Sequence, residues 1–113
     1  MDLLNPSIEQ LVAEIVALNH AWKEACELFD DRENSPLAQS LRDLKTCKQI
    51  RLLRSYAPLN KVYLAFDARS DEPLYSLHLR EPIDTRWNAE HLPVRVAEEY
   101  LSLAELDQFT QNN

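Results

Sequence analysis

The chain has 113 residues and a net charge of −7, with 45% apolar residues, 27% charged residues and no glycine. This composition is typical of a water-soluble globular protein, and the length fits one domain over residues 1–113. The lack of glycine excludes the phosphate loops, dinucleotide fingerprints and nucleophile elbows that depend on it. No apolar run is long enough to cross a bilayer and the first residues do not form a signal peptide, so we expect a cytoplasmic protein without membrane contact.

Charge is unevenly distributed along the chain. Residues 1–34 carry a net charge of −6, residues 35–61 carry +5 and residues 62–113 carry −6. The central basic side chains, mostly three residues apart, are Arg42, Lys45, Lys48, Arg51, Arg54 and Lys61. Such a stretch is able to contact phosphates, but the acidic chain as a whole opposes the approach to nucleic acid. We therefore expect these charges to pair with the chain's own acidic helices or with an acidic partner, and nucleic-acid binding through residues 42–61 is the alternative.

The clearest helix lies near the N-terminus. Pro6 suits the first helical position, and Ser7-Ile8-Glu9-Gln10 is typical of a capping box. Apolar residues then recur at spacings of three and four, as Ile8, Leu11, Ile15, Leu18, Trp22, Ala25 and Phe29, and residues 30–34 are predicted to end the helix. We interpret this stripe as a core face. A homodimer through this helix is the alternative, although the stripe covers only about three heptads.

A second helix is predicted to start at Ser35-Pro36, with a serine cap and a proline in the first turn. Leu37, Leu41 and Leu44 are expected to mark its buried face, and the short connection predicts an α-hairpin. Extending the helix would place Lys45 and Lys48 on the same face as leucines. Alternation of Ile50, Leu52 and Tyr56 therefore favours a strand over residues 48–56, and continued helix is the alternative.

A β-hairpin is predicted between Lys61 and Pro82. Apolar residues alternate with others on both sides of a polar break, as Val62, Leu64 and Phe66 and then as Tyr75, Leu77 and Leu79. Pro73 lacks an amide donor and is therefore placed in the turn. A lone hairpin is marginally stable, so the flanking helices are expected to cover its apolar face.

The last third of the chain mixes loop and helix signals. Residues 82–92 contain Trp87 without a clean period, which predicts an ordered loop. Pro93 is expected to open a helix, and Ser102-Leu103-Ala104-Glu105 is typical of a capping box for a further short helix. The fold class is therefore α+β: an N-terminal α-hairpin, a two- or three-stranded antiparallel β-meander, and C-terminal helices packed on the sheet.

The sequence contains no pattern that is typical of a catalytic or metal-binding site. The possible soft ligands, His20, Cys26, Cys47, His78 and His91, have no compact metal-ligand spacing. Cys47 and His78 carry no local signature of a nucleophile and its base. We expect no catalytic, cofactor or metal site, and both cysteines are expected to act as small hydrophobes in helices. An enzyme whose site is assembled only by the fold is a third alternative.

The functional expectation is a non-catalytic protein that binds another protein, as an adaptor, assembly factor or regulator. The residues expected to contact the partner are Arg86, Trp87, His91, Arg51 and Arg54. Tryptophan and arginine are typical interface anchors, so Trp87 is expected to be at least partly exposed; the alternative is that it caps the core. The residues expected to be largely buried are Leu11, Ile15, Trp22, Leu41, Leu64, Phe66 and Leu101.

Overall fold

The computed structural model describes residues 6–28, 35–68 and 71–110. In chain order these ranges contain α1 (Ile8–Leu28), α2 (Pro36–Tyr56), β1 (Val62–Asp67), β2 (Leu74–Ile83), β3 (Arg86–Pro93), α3 (Val94–Tyr100) and α4 (Leu103–Phe109). The predicted α+β class is confirmed. Residues 29–34, where the end of the first helix was predicted, lie outside the described residues. No helix in the described ranges is long and apolar enough to cross a membrane.

The first helix begins at Ile8, two residues later than the proline signal predicted. Ser7 is the cap, because its Oγ accepts a hydrogen bond from the Gln10 amide at 3.1 Å, and Pro6 precedes it. The side chain of Gln10 lies 3.4 Å from Glu14 Oε2, and only one half of the predicted capping box is formed. Part of the apolar stripe packs into the core of the same chain, since Leu11 and Ile15 of α1 are buried.

The second helix runs unbroken to Tyr56, so the strand favoured over residues 48–56 is wrong. Ser35 caps it as predicted, with Oγ 3.4 Å from the Ala38 amide. The helix continues because its straight-chain side chains favour helical backbone. The phase of the apolar stripe is lost there because two polar residues, Lys45 and Gln49, are buried on the inner face of the helix.

The buried face of α2 differs from the predicted one. Leu37 and Leu44 are 50% and 47% exposed, and Leu41 is half-buried. The residues buried along the helix are Ala38, Lys45, Thr46, Gln49, Ile50, Leu52 and Leu53. The predicted leucine face is therefore wrong, since a different face of α2, with both polar and apolar residues, packs against the rest of the chain.

The sheet has three antiparallel strands in the order β1-β2-β3. The predicted hairpin is confirmed: Leu64 lies opposite Leu77 in the β1–β2 ladder, and both are fully buried. Phe66 is 61% exposed, so its predicted burial is wrong. It lies toward the turn end of β1, outside the core cluster, and packs edge-to-face on Tyr75 with ring centroids 6.2 Å apart.

The third strand comes from the segment predicted to be a loop, and that prediction is wrong. His91 lies opposite Ser76 and Asn88 lies opposite His78, so β3 has one more residue than β2 between these pairs. The extra residue makes a β-bulge, at which Glu90 has a φ of +69°. The bulge interrupts the alternation that would otherwise have indicated a strand.

One hydrophobic cluster contains side chains from all seven elements. Of the expected core residues, Leu11, Ile15, Leu64 and Leu101 are buried in it. Trp22 and Leu41 are only half-buried. The two C-terminal helices close the cluster through Ala97, Leu106 and Phe109, and the capping box predicted at Ser102 is formed with Glu105.

Candidate functional site

Trp87 lies on β3 and is 57% exposed, which agrees with the expected partial exposure. Its neighbour Arg86 is fixed along the strand, with Nη1 3.2 Å from Asn88 Oδ1 and 3.3 Å from Glu90 Oε2. The exposed indole therefore lies on a strand whose polar side chains contact each other.

The backbone of β3 near Trp87 is engaged by α2. Gln49 is fully buried, and its Nε2 donates to the carbonyl oxygens of Ala89 at 3.0 Å and His91 at 3.1 Å. On the opposite edge of the sheet, Leu64 forms a parallel bridge with Thr110. An added partner strand would have to displace these contacts, so side chains are the more accessible binding groups.

His91 lies on β3, which β2 separates from β1, and its side chain nevertheless reaches Asp67 of β1. Its exposed ring places Nε2 3.7 Å from Asp67 Oδ2. His78 is close by, and its pKa is lowered by burial and by the charge of His91. The rings of Tyr63 and His78 stack at 5.0 Å, and the Arg80 guanidinium lies 4.1 Å from the Tyr63 ring centroid. The sheet face turned away from the core is thus polar and aromatic.

Arg54 binds the chain's own C-terminal helices. Its Nε lies 2.9 Å from Glu105 Oε2, and its Nη2 lies 3.2 Å from Glu105 Oε1 and 2.8 Å from the Tyr100 carbonyl oxygen. The side-chain bond from Arg54, followed by the backbone bond from Ser102, lowers the pKa of Glu105 to about 2. This pair joins α2 to the start of α4.

The other basic residues of α2 point in several directions. Lys48 Nζ lies 3.2 Å from Glu14 of α1, and Arg51 is exposed one turn before Arg54. The pairing expected between the basic stretch and the acidic helices is therefore present at Lys48 and Arg54. Arg51 and Arg54 lie beside Tyr100, whereas Arg86 lines a groove against α1, so the structure does not bring the expected partner-binding residues into one patch.

The outer side of α2 carries an apolar strip that the sequence placed in the core. Leu37, Leu41 and Leu44 follow each other at helical spacing, and we call them the α2 leucine strip. Cys47, expected at an apolar position, is exposed on this helix, and Cys26 is half-buried. Tyr100 extends the surface near Cys47 and is 40% exposed.

A cavity of about 320 Å³ opens where α1, α2, β3 and α3 meet, and we call it the lysine cavity. Its wall includes Asn19, Trp22, Lys45, Glu90, His91 and Arg95. Sequence reasoning missed this site. The signal in the sequence is Lys45 on the apolar side of a continued helix, because a polar residue at a core position often contributes to a site.

Among the described residues, no group of three or more histidines, cysteines and carboxylates is placed to hold a metal ion. No protein-family model, curated protein or solved structure matches the chain.

Proposed function

We propose that the protein is non-catalytic and acts by binding another protein, as an adaptor, assembly factor or regulator, through a surface centred on Trp87. The observation that carries the proposal is the 57% exposure of this indole on an ordered strand. Tryptophan is usually well buried, and it is one of the residue types enriched at binding hot spots. A partner that covers the ring would gain the free energy of desolvating it.

The neighbours of Trp87 support the same surface. Arg86 directly precedes it on β3 and provides a polar residue next to the indole in sequence, whereas His91 lies farther along the strand and faces Asp67 of β1. Because Arg86 is already held by Asn88 and Glu90, little side-chain entropy would be lost when a partner binds.

Nucleic-acid association through residues 42–61 has less support. Lys45 is buried, and Lys48 and Arg54 are paired with Glu14 and Glu105. Phosphate contacts by these residues would have to break those pairs first. A cytoplasmic site of action, expected from the sequence, remains part of the proposal.

The test is affinity capture of the tagged protein from extracts of its native host, with and without nuclease. We expect the tagged protein to capture a partner protein whether or not nuclease is added. The Trp87→Ala variant should fail to capture this partner, and the Phe66→Ala variant should still capture it. Phe66 is the matched control because it is a similarly exposed aromatic on β1, the other outer strand of the sheet. Capture that disappears with nuclease and with Arg51→Glu/Arg54→Glu, but not with Trp87→Ala, would favour the nucleic-acid alternative.

A further inference from the structure

The lysine cavity contains a buried cation. Lys45 is only 8% exposed, and its Nζ donates to Asn19 Oδ1 at 3.1 Å and lies 5.4 Å from the centroid of the Trp22 ring. Burial lowers the pKa of Lys45, and this effect outweighs the raising effect of nearby Glu90. An ammonium has more N–H donors than one amide oxygen satisfies, and an underpaired buried charge is costly.

The charges around the cavity favour an anion. Four cationic side chains line it against two carboxylates, in a chain whose net charge is −7; they are Lys23, Arg42, Lys45 and Arg95 against Glu72 and Glu90. Both carboxylates are already held by arginines, Glu72 by Arg95 at 2.6 Å and Glu90 by Arg86 at 3.3 Å. The lining is therefore net positive, and Lys45 is the cation in it that is buried from water, where the field of a charge is least screened.

The remaining wall is apolar and partly strained. The indole of Trp22 forms one side, with Leu74, Pro93 and Val96 nearby, so a ligand that fills the cavity would need an apolar body. Trp22 Nε1 is buried and has no acceptor among the described residues. Glu90 reaches the rim through the bulge at which its φ is +69°, and strained backbone of this kind is frequent at ligand sites.

We propose that the lysine cavity binds a small organic anion, a carboxylate carried on an apolar body, with Lys45 as its charge partner and Trp22 as the flat wall against which the body packs. The volume of about 320 Å³ lies at the lower end of small-molecule pockets, which fits a free metabolite-sized ligand. The cavity shares His91 with the proposed partner surface, but Trp87 is not part of its lining, so ligand binding does not depend on the indole of Trp87.

The test is a titration of the ¹⁵N-labelled protein at constant ionic strength, followed by NMR. Trp22 and Trp87 are the two tryptophans of the chain, and their indole N–H signals report on the cavity and on β3 in the same sample. The probes are benzoate, acetate, inorganic phosphate and, as a cation of similar shape, benzylamine. We expect benzoate to shift the Trp22 signal saturably and to leave Trp87 unmoved, acetate to bind more weakly, and benzylamine not to bind.

Variants then assign the charge partner. Lys45→Met keeps the aliphatic stem and should weaken benzoate at least about tenfold, whereas Lys48→Met, one turn along α2, should bind as the parent does. If Lys45→Met does not fold, Asn19→Asp is the deciding variant. Its new carboxylate would form an ion pair with the Lys45 ammonium and should lower the affinity for benzoate to a similar extent. Unchanged benzoate affinity in the deciding variant, no saturable shift of Trp22, equal binding of benzylamine, or tighter binding of phosphate than of benzoate would each overturn the proposal.

Discussion

Lys45 of α2 and Asn19 of α1 form a buried polar pair between the two N-terminal helices, with Nζ 3.1 Å from Oδ1. Neither residue has its usual surroundings, since Lys45 is 8% exposed and Asn19 is 6% exposed. A bond of this kind fixes how two helices face each other, because any other alignment would leave a buried ammonium and a buried amide unpaired.

Loss of one partner should therefore cost more than loss of both. Asn19→Leu is expected to lower the free energy of unfolding by about 1–3 kcal/mol, because it leaves the ammonium without its acceptor. Adding Lys45→Met to that variant should restore most of the loss, since an apolar pair replaces the polar one. Urea unfolding of the four proteins of the double-mutant cycle measures this coupling. Simply additive effects would show that the pair does not hold the helices together.

The orientation of β1 is tested by two substitutions on one strand. Leu64 is fully buried, so Leu64→Ala is expected to lower the free energy of unfolding by about 2–5 kcal/mol through lost burial and a residual cavity. Phe66→Ala, two residues along, should lower it by about 1 kcal/mol at most, since only the edge contact with Tyr75 is lost. Equal losses in denaturant unfolding would contradict the exposed placement of Phe66.

The pair between Arg54 and Glu105 should contribute to the loss of stability at acid pH. The pKa of Glu105 is lowered from 4.5 to about 2 by the hydrogen bonds from Arg54 and Ser102, so the folded state binds fewer protons than the unfolded state in this range. The stabilisation is therefore complete above pH 4.5 and is lost as the pH falls toward 2.

Removing the guanidinium should return this pKa toward its ordinary value. In Arg54→Gln we expect the Glu105 carboxyl, followed by ¹³C NMR, to titrate closer to 4.5, and the stability to fall less between pH 4.5 and 2. Arg51→Gln is the control, because it removes the same charge from α2 and leaves the Glu105 pair in place. An unshifted Glu105 pKa in Arg54→Gln would show that Ser102 alone sets it.

The turn between β2 and β3 holds a β-branched residue in the left-handed region. Asp84 has a φ of +49° and Thr85 a φ of +68°, which match the two central positions of a type I′ turn. Thr85→Gly should raise the free energy of unfolding by up to about 1 kcal/mol, because glycine removes the Cβ clash. Thr85→Ala keeps the Cβ and should gain less in the same thermal unfolding measurement. A lower stability of the glycine variant would indicate that the threonine side chain holds the turn.

The fold was predictable where local chemistry and burial agreed. The caps at Ser35 and Ser102 and the apolar alternation that includes Leu64 and Leu77 follow from spacing alone, because each residue does what its type prefers. The course of α2 was not predictable in this way. Lys45 and Gln49 are polar but buried, and each donates a hydrogen bond to a part of the chain far away in sequence, Lys45 to Asn19 and Gln49 to the backbone of β3.

Tertiary structure also explains why β3 and the lysine cavity could not be predicted from the sequence. The bulge at Glu90 removes the period of two that indicates a strand, and it also turns this side chain toward the cavity. Only tertiary contacts bring Trp22, Lys45 and Glu90 to one place, so no local spacing could have indicated them. The exposure of Trp87 was not decided by the sequence, because a tryptophan in a polar segment fits an interface anchor and a core cap equally well, and only the structure shows the indole 57% exposed.

The central claim is that Trp87 anchors a protein partner while contributing little to the fold. Its most direct test is titration calorimetry of the purified, captured partner against the parent protein and Trp87→Ala, together with the melting temperature of each. We expect Trp87→Ala to weaken binding by at least about 2 kcal/mol, the range of a hot spot, with the melting temperature nearly unchanged, because the indole is already 57% exposed. Unchanged affinity, or a melting temperature lower by several degrees, would contradict the account and make Trp87 a structural residue.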